Sequence, residues 1–410
     1  AELNLYNGEE RVGQVATDGS WRTSLHLARD PRVQRMSCQQ AFAERIDARL
    51  WDERWVEPDY NDADWESASV VGNAGIAPWD RLVPRTIPLL TEEKIYPSRV
   101  ESLSRVVPVP WTACIELRNQ MIPGSEDNAN AYHYAGYVGT VIRTDKETEA
   151  TIGFPFAPSL WQGIILNGVR YPKGVFTSFH SQKYLQVKLN AGDNLLLVAL
   201  AGSDHGRGLF MGIDCDQAFQ LVSPIDADGE QMSPFISVGP FVSFEYIDHQ
   251  YGKEERAKQR IIDLCAKFDA ALPDADAAAA EIVTAFRSAG QAAGRKELEP
   301  HKSVIRPIPN VFVSKESVLA LSIWKRESRP LPVPAALQRA VTASAHPAAV
   351  PVYETGDTEI IIDFGRQGSG YITFELSAEA GTIVDFYGFE HMRDGWIQHM
   401  HYLENSLRYI

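Results

Sequence analysis

Carboxylates are the residues here with the most direct route to chemistry. Cleaving a glycosidic bond takes two of them flanking the bond, ~5 Å apart for retention or ~6.5–9.5 Å apart for inversion. Glu375 and Asp385 sit on neighbouring β-type runs and could face each other across strands. Sequence spacing does not fix their separation, and carboxylates on an acidic sheet surface are ordinarily solvated. His391, His399 and His401 gather near Glu390 and Asp394, and the alternation His399-Met-His401 would turn both rings to one face of a strand. Without partners to orient the rings, they read as rim or core residues and not as metal ligands. Other reaction classes lack their motifs. No G-x-x-x-x-G-K-[ST] occurs, and Gly365-Arg-Gln-Gly-Ser-Gly370 stands between strands instead of opening a helix. Neither G-x-S-x-G nor H-E-x-x-H is present. Cys38, Cys114, Cys215 and Cys265 are widely spaced with no C-x-x-C, and read as buried thiols.

Binding is better supported than reaction. Trp111, Tyr132, His133, Tyr134, Tyr137 and Trp161 share a region with Asp127, Asn128, Asn130, Asp204, His205 and Arg207. A pyranose offers an apolar C–H face to an aromatic ring and hydroxyls to carboxylates, amides or Arg. Trp161, Tyr134, Asp204, His205 and Arg207 are therefore the sugar-binding candidates. The competing reading is that aromatic residues of a β-sandwich fill its core. No metal or cofactor is expected, apart from a calcium ion as an alternative at Ser125-Glu-Asp-Asn-Ala-Asn130, whose oxygens suit one but which reads first as a solvated loop.

The elements that must position these residues are mainly β. Short runs such as Val138–Arg143, Ala150–Phe154, Gly163–Leu166, Tyr184–Leu189 and Leu195–Leu200 alternate with turn signals at Asn167-Gly168, Ala191–Asn194 and Asp228-Gly229. That pattern predicts multiple β-sandwich domains of jelly-roll type. Between Lys253 and Arg287 the period changes: Ile261, Leu264, Cys265, Phe268 and Leu272 recur at helical spacing, and Ile282, Val283 and Phe286 continue after Pro273. A helical hairpin or a pair of helices is expected, with Asp274 or Asp276 as a cap. Eight prolines between 300 and 351 set a boundary, after which Glu359–Phe364, Gly370–Leu376 and Thr382–Tyr387 read as successive antiparallel strands. The 410 residues thus divide into a β-sandwich region at 1–104, a second sandwich at 105–248, a helical segment at 249–299, and a proline-rich linker with the start of a further sandwich at 300–410.

Charge narrows the partners. Lys and Arg number 39 against 54 Asp and Glu, a net −15, which repels phosphate backbones and argues against nucleic acid. The longest apolar runs, such as Asn194–Ala201, fall short of the ~20 residues of a membrane-spanning helix.

Ordered along the chain, several segments resemble the bacterial α-L-rhamnosidases of glycoside hydrolase family 78. Thr17-Asp-Gly-Ser-Trp-Arg22 is similar to the family's T-D-x-S-W, Arg45–Leu50 to E-x-x-D-A-R, Tyr60–Trp65 to D-D-x-x-W, and Pro84–Leu89 to R-x-I-P. Ile164–Gly168 and Leu189–Leu195 resemble the hairpin and strand start of its galactose-binding-like sandwich. Ile362–Gly370, Ala380-Gly-Thr382 and Phe389–Gly395 resemble the signature of the sandwich before its (α/α)6 barrel. Trp21 and Trp65 read as core anchors. The resemblance implies an accessory, non-catalytic region of an inverting glycosidase that acts on terminal rhamnose, with its catalytic acid and base on a barrel outside these 410 residues. The alternative is a stand-alone carbohydrate-binding protein without catalysis; in both, the partner is a rhamnose-containing glycan.

Overall fold

Asn167 and Gly168 turn the chain as their types predict, with φ of 50° and 78°. Both angles lie in the left-handed region that a type I′ hairpin requires, and the turn sets Leu166 opposite Val169. The computed structural model describes residues 2–33, 42–72, 75–77, 86–88, 91–122, 131–155, 160–179, 182–204, 208–225, 231–246, 255–318, 324–343, 346–393, 396–398 and 405–410. The turn at Asp228-Gly229 lies outside them.

The hairpin belongs to one face of a β-sandwich. Its sheet runs in the order Val169–Pro172, Trp161–Leu166, Gly192–Asp204, Ala131–Thr144, Met232–Tyr246, Ile305–Pro309, with Phe219–Val222 also pairing to Ala131–Thr144. The facing sheet runs Thr177–Phe179, Gln182–Leu189, Thr148–Phe154, Leu209–Cys215, Trp111–Ile115, Val313–Lys315. Side chains alternate across a strand, so Val138, Ile142, Leu196 and Val198 meet Ile152, Phe154, Met211 and Ile213 between the sheets. The chain is mainly β, as expected.

The opposite face of the first sheet is also covered. Tyr137, Leu197, Ala199, Ile236 and Val238 pack beneath a helix at Ala279, Ile282 and Val283. Burial on both faces explains why Leu195–Ala201 is continuously apolar and does not alternate. The helix itself corrects the sequence reading, because Glu255–Leu298 is one continuous helix with Pro273 inside it. Proline removes one N–H from the ladder, while Phe268 before it and Ala275, Ala279, Ile282 and Val283 after it are buried along one face. That packing holds both halves on one sheet. Asp276 is no cap either: it accepts from the Tyr137 hydroxyl at 3.0 Å and from Arg170 at 2.8 Å. The Arg170 hydrogen bond leads the effects that lower the Asp276 pKa, and burial raises that of Tyr137.

Inside the sandwich a single amide ties three segments. Asn194, fully buried, donates to the carbonyls of Asn190 at 2.8 Å and Ile142 at 3.2 Å, and accepts from Asn190 N–H and Asn167 Nδ2, both at 2.8 Å. Another fixed contact comes from two glycines paired across strands, Gly153 and Gly212. A Cβ would lie 2.4 Å from the Trp324 ring at Gly153 and 2.3 Å from it at Gly212. Trp324 thus packs on bare backbone and holds the following segment to the sandwich.

Among the described residues two three-stranded sheets accompany the sandwich. Arg99–Pro108 lies between Lys325–Leu331 and Asp357–Asp363, and Ser406–Tyr409 lies between Val384–Tyr387 and Glu44–Ile46. The last pair is parallel and joins the early and late parts of the chain. These pairings correct the predicted succession of late strands, since Asp357–Asp363 pairs with Arg99–Pro108 and not with its sequence neighbours. Gly370–Leu376, also predicted as a strand, has no regular structure, and Tyr371 is 91% exposed. A strand requires a neighbour for its N–H and C=O groups; here only Phe374 makes ring contacts, with Phe386 at 4.8 Å and Tyr409 at 5.4 Å. Cys114 and Cys215 are buried as read from sequence, Cys265 is only half-buried, and Cys38 lies outside the described residues.

Gly212→Val will dislodge the Trp324 ring and lower the urea-unfolding free energy of the sandwich by about 1–3 kcal/mol. Combining it with Trp324→Ala will cost less than the sum of the two single changes, a coupling that a double-mutant cycle reads directly. A second expectation concerns acid. Because the Asp276 pKa is depressed in the fold, its contribution is complete above the ordinary carboxylate value and is lost as pH falls through the lower, folded value. Amide exchange of the docked helix will therefore accelerate below about pH 4 in the wild type, and this pH-dependent increment will shrink in Asp276→Asn.

Candidate functional site

Two of the sugar-binding candidates are core residues. Trp161 and Tyr134 are each 3% exposed. The Trp161 ring has Phe154 and Phe176 at centroid distances of 4.7 Å each, and its Nε1 is buried without a hydrogen-bond partner. Both residues lie on inward positions of the first sheet, where a sugar has no ring face to stack on. Asp204 ends its strand opposite Tyr132, at the same end of the sheet as Trp161, which pairs with Leu200. The side chain of Asp204, together with His205, Arg207 and the Ser125–Asn130 loop, lies outside the described residues. So do His399, His401, Asp394 and Pro84. Among the described residues no group of three or more His, Cys, Asp or Glu could hold a metal ion.

The carboxylate candidates part company. Asp385 accepts from Arg408 Nε and Nη2, both at 2.7 Å. The Arg408 side chain is only 4% exposed and also donates to Glu316 at 2.7 Å. Glu316 stands in the left-handed region with φ 53°, a conformation uncommon for a residue with a Cβ, and its N–H is tied to the Thr112 carbonyl at 2.7 Å. This bidentate pairing lies within the terminal sheet, where Asp385 stands opposite Arg408, and it is the Arg408–Glu316 bond that ties that sheet to the sandwich. Glu375 is exposed on the irregular 371–376 segment.

The motifs that carried the family resemblance are mostly turns. Asp18 accepts from the N–H and hydroxyl of Ser20 at 2.8 and 2.6 Å. Asp363 accepts from Gly365 N–H at 2.7 Å, where φ is 72°. Trp21 departs from the anchor expected of it: it is 45% exposed, fixed by its indole N–H to the Ala16 carbonyl at 2.8 Å. Trp65 is half-buried, edge-on to Tyr60 at 5.8 Å.

An aromatic surface that sequence reasoning missed lies just after the Glu44–Ile46 strand. Asp47 accepts from Arg49 N–H at 3.1 Å and Nε at 2.8 Å, closing the 3-10 turn Ala48–Leu50. Asp52 repeats the arrangement with Arg54 N–H at 3.1 Å and Nε at 3.3 Å, closing Glu53–Val56. The Arg49 and Arg54 hydrogen bonds hold both carboxyls below the usual carboxylate range. Trp51 and Trp55 emerge from these turns 39% and 55% exposed. His26 meets Trp51 edge-on at 4.7 Å. The repeated D-x-R of Asp47-Ala-Arg49 and Asp52-Glu-Arg54 was the available signal, because two self-capped turns in succession leave no long element to bury both indoles.

Two family models match the chain. Residues 111–311 match the model of α-L-rhamnosidase domain D2, and residues 353–410 that of the bacterial α-L-rhamnosidase concanavalin-like domain. The crystal structure of the GH78 family rhamnosidase of Bacillus sp. GL1 is 36% identical, aligns over 98% of this chain and has a TM-score of 0.80. The chain spans 39% of the length of that relative. No curated protein matches it.

Asp385→Ala leaves the buried Arg408 guanidinium without its main partner, and such a loss costs about 3–5 kcal/mol. Hydrogen exchange should show Ser406–Tyr409 losing protection while the Ala131–Thr144 strand keeps it. Equal loss in both would mean that the two units unfold together.

Proposed function

We propose that this chain, which belongs through its D2 and concanavalin-like domains to the bacterial α-L-rhamnosidases of glycoside hydrolase family 78, is the non-catalytic accessory region of an inverting glycosidase that removes terminal rhamnose from glycans. The observation that carries this reading is the state of its carboxylates. Inversion takes an acid and a base with room between them for a water, whereas Asp385 has both oxygens bound to Arg408 and Glu375 stands on an exposed irregular segment. In that role the sandwiches brace a catalytic domain and hold a glycan close to it, which raises the effective concentration of substrate. The partner is a carbohydrate. Among the described residues no helix is long and apolar enough to cross a membrane, and the net charge of −15 disfavours nucleic acid.

A second reading, a stand-alone carbohydrate-binding protein, has one observation in its favour: the open tryptophans at 51 and 55. It shares the sugar and dispenses with the catalytic partner.

The purified 410-residue chain, given p-nitrophenyl α-L-rhamnopyranoside, should release no nitrophenol above background. Turnover that disappears in Glu375→Gln or Asp385→Asn would place the chemistry inside this chain and overturn the accessory role. The polypeptide made by the source organism should be substantially heavier than 410 residues; one of this size would favour the second reading.

A further inference from the structure

The arrangement of Trp51, Trp55, His26, Asp52, Arg54 and Tyr60 points to a carbohydrate site, and we propose that the two indoles form a stacking platform for a 6-deoxyhexopyranose. This rests on the rhamnosidase reading for the class of sugar, but not for the position of the site. Exposed apolar surface is informative where it forms a patch, and Leu50 and Val56, 58% and 67% exposed, adjoin the two indoles along the chain. Here the exposure is built in: each indole lies at or near a 3-10 turn closed by its own Asp–Arg pair. The edge contact from His26 fixes the Trp51 ring at 4.7 Å, so little side-chain entropy remains to be lost on binding.

The polar groups complete the chemistry. Asp52 accepts from Arg54 and also from the Tyr60 hydroxyl at 3.4 Å, and its carboxyl is held ionised by these bonds, with the Arg54 side chain first among them. The Asp52 and Arg54 side chains are 46% and 71% exposed, so their remaining acceptor and donor capacity faces solvent one residue along the chain from Trp51 and Trp55 respectively. A 6-deoxyhexose has one side made apolar by its C–H groups and methyl, and another lined with hydroxyls. Indole faces take the first, while carboxylate and guanidinium take the second. Interleaved ion pairs of this kind make a poor surface for a purely apolar protein contact. The platform is also anchored: Ala48 N–H donates to the Ile410 carbonyl at 2.8 Å, and Glu44–Ile46 pairs with Ser406–Tyr409. A sugar held there would lie beside the terminal sheet, in contrast to the buried surroundings of Trp161.

The test uses the full 410-residue chain, with methyl α-L-rhamnopyranoside as probe and titration calorimetry with saturation-transfer NMR as readouts. Saturable binding with Kd on the order of 1 mM is expected, weakened at least about tenfold by Trp51→Ala and by Trp55→Ala. It should be unchanged by Tyr371→Ala, an open aromatic elsewhere, with circular dichroism confirming that each variant folds. Rhamnoside binding that survives both tryptophan substitutions overturns the platform and leaves the accessory role standing. Absence of binding by the wild type overturns it too, as does finding both indoles covered by polypeptide in a longer form of the protein. Binding through the same tryptophans by a chain that itself hydrolyses the nitrophenyl rhamnoside would keep the platform and overturn the accessory role.

Discussion

The backbone pairing of Ala131–Thr144 is the constraint on which the sandwich depends. It bonds to Gly192–Asp204 along one edge and to Met232–Tyr246 and Phe219–Val222 along the other, and its two faces look into the inter-sheet core and toward the long helix. A strand in that position must be thin where neighbours press closest. A Cβ at Gly136 would lie 2.7 Å from the Val238 carbonyl oxygen, and one at Gly139 2.8 Å from Leu197. A side chain at Gly136 would press on the backbone of the flanking strand, and one at Gly139 would displace the Leu197 and Ile236 side chains on which the helix lies.

Where apolar burial ends, charged pairs decide which pieces stay together. Asp276 with Arg170 and Tyr137 fastens the helix, Arg326 Nε reaches Asp214 at 2.9 Å beyond the Trp324 contact, and Arg408 joins Asp385 to Glu316. These are not equal. The Arg170–Asp276 pair is about half exposed on both sides, so water screens it and it orients more than it stabilises. Arg408 is nearly buried, so its carboxylates are indispensable once the guanidinium is inside, although the cluster as a whole offsets a large desolvation cost. Glu316 accepts a left-handed backbone to reach it, which marks this contact as over-determined by its surroundings.

Much of the architecture was legible because local signals and tertiary needs coincided. Asn167-Gly168 could make little but a hairpin, and the strand runs of the sandwich formed because each found partners. The failures share one cause, the absence of non-local information. Gly370–Leu376 has the alternation of a strand, but alternation says nothing about whether a neighbour is there to accept its hydrogen bonds. Pro273 signals a break, yet burial at Phe268 on one side and at Ala275, Ile282 and Val283 on the other outweighs the loss of one helical N–H. At the candidate site, residue types suited to sugar were found in the wrong place: Tyr134 shares the inward parity of Val138 and Ile142, and a bulge between Trp161 and Gly163 turns Trp161 inward beside Ile164 and Leu166. Parity is readable only once it is known which face is the core.

This difference in burial separates the two jobs within the chain. Inside the sandwich, aromatic side chains are used for volume, and the large apolar residues left exposed on its described strands and turns are few, such as Val169, Val175 and Phe179. The flanking segments do the opposite, exposing Trp51, Trp55, Val71, Val352 and Tyr371 among others. A surface of that kind costs solubility unless something uses it. The sandwich therefore forms a densely packed body, while the exposed apolar surface lies on the flanks. The parallel pairing of Glu44–Ile46 with Ser406–Tyr409 ties an early segment of the chain to a late one in a single sheet.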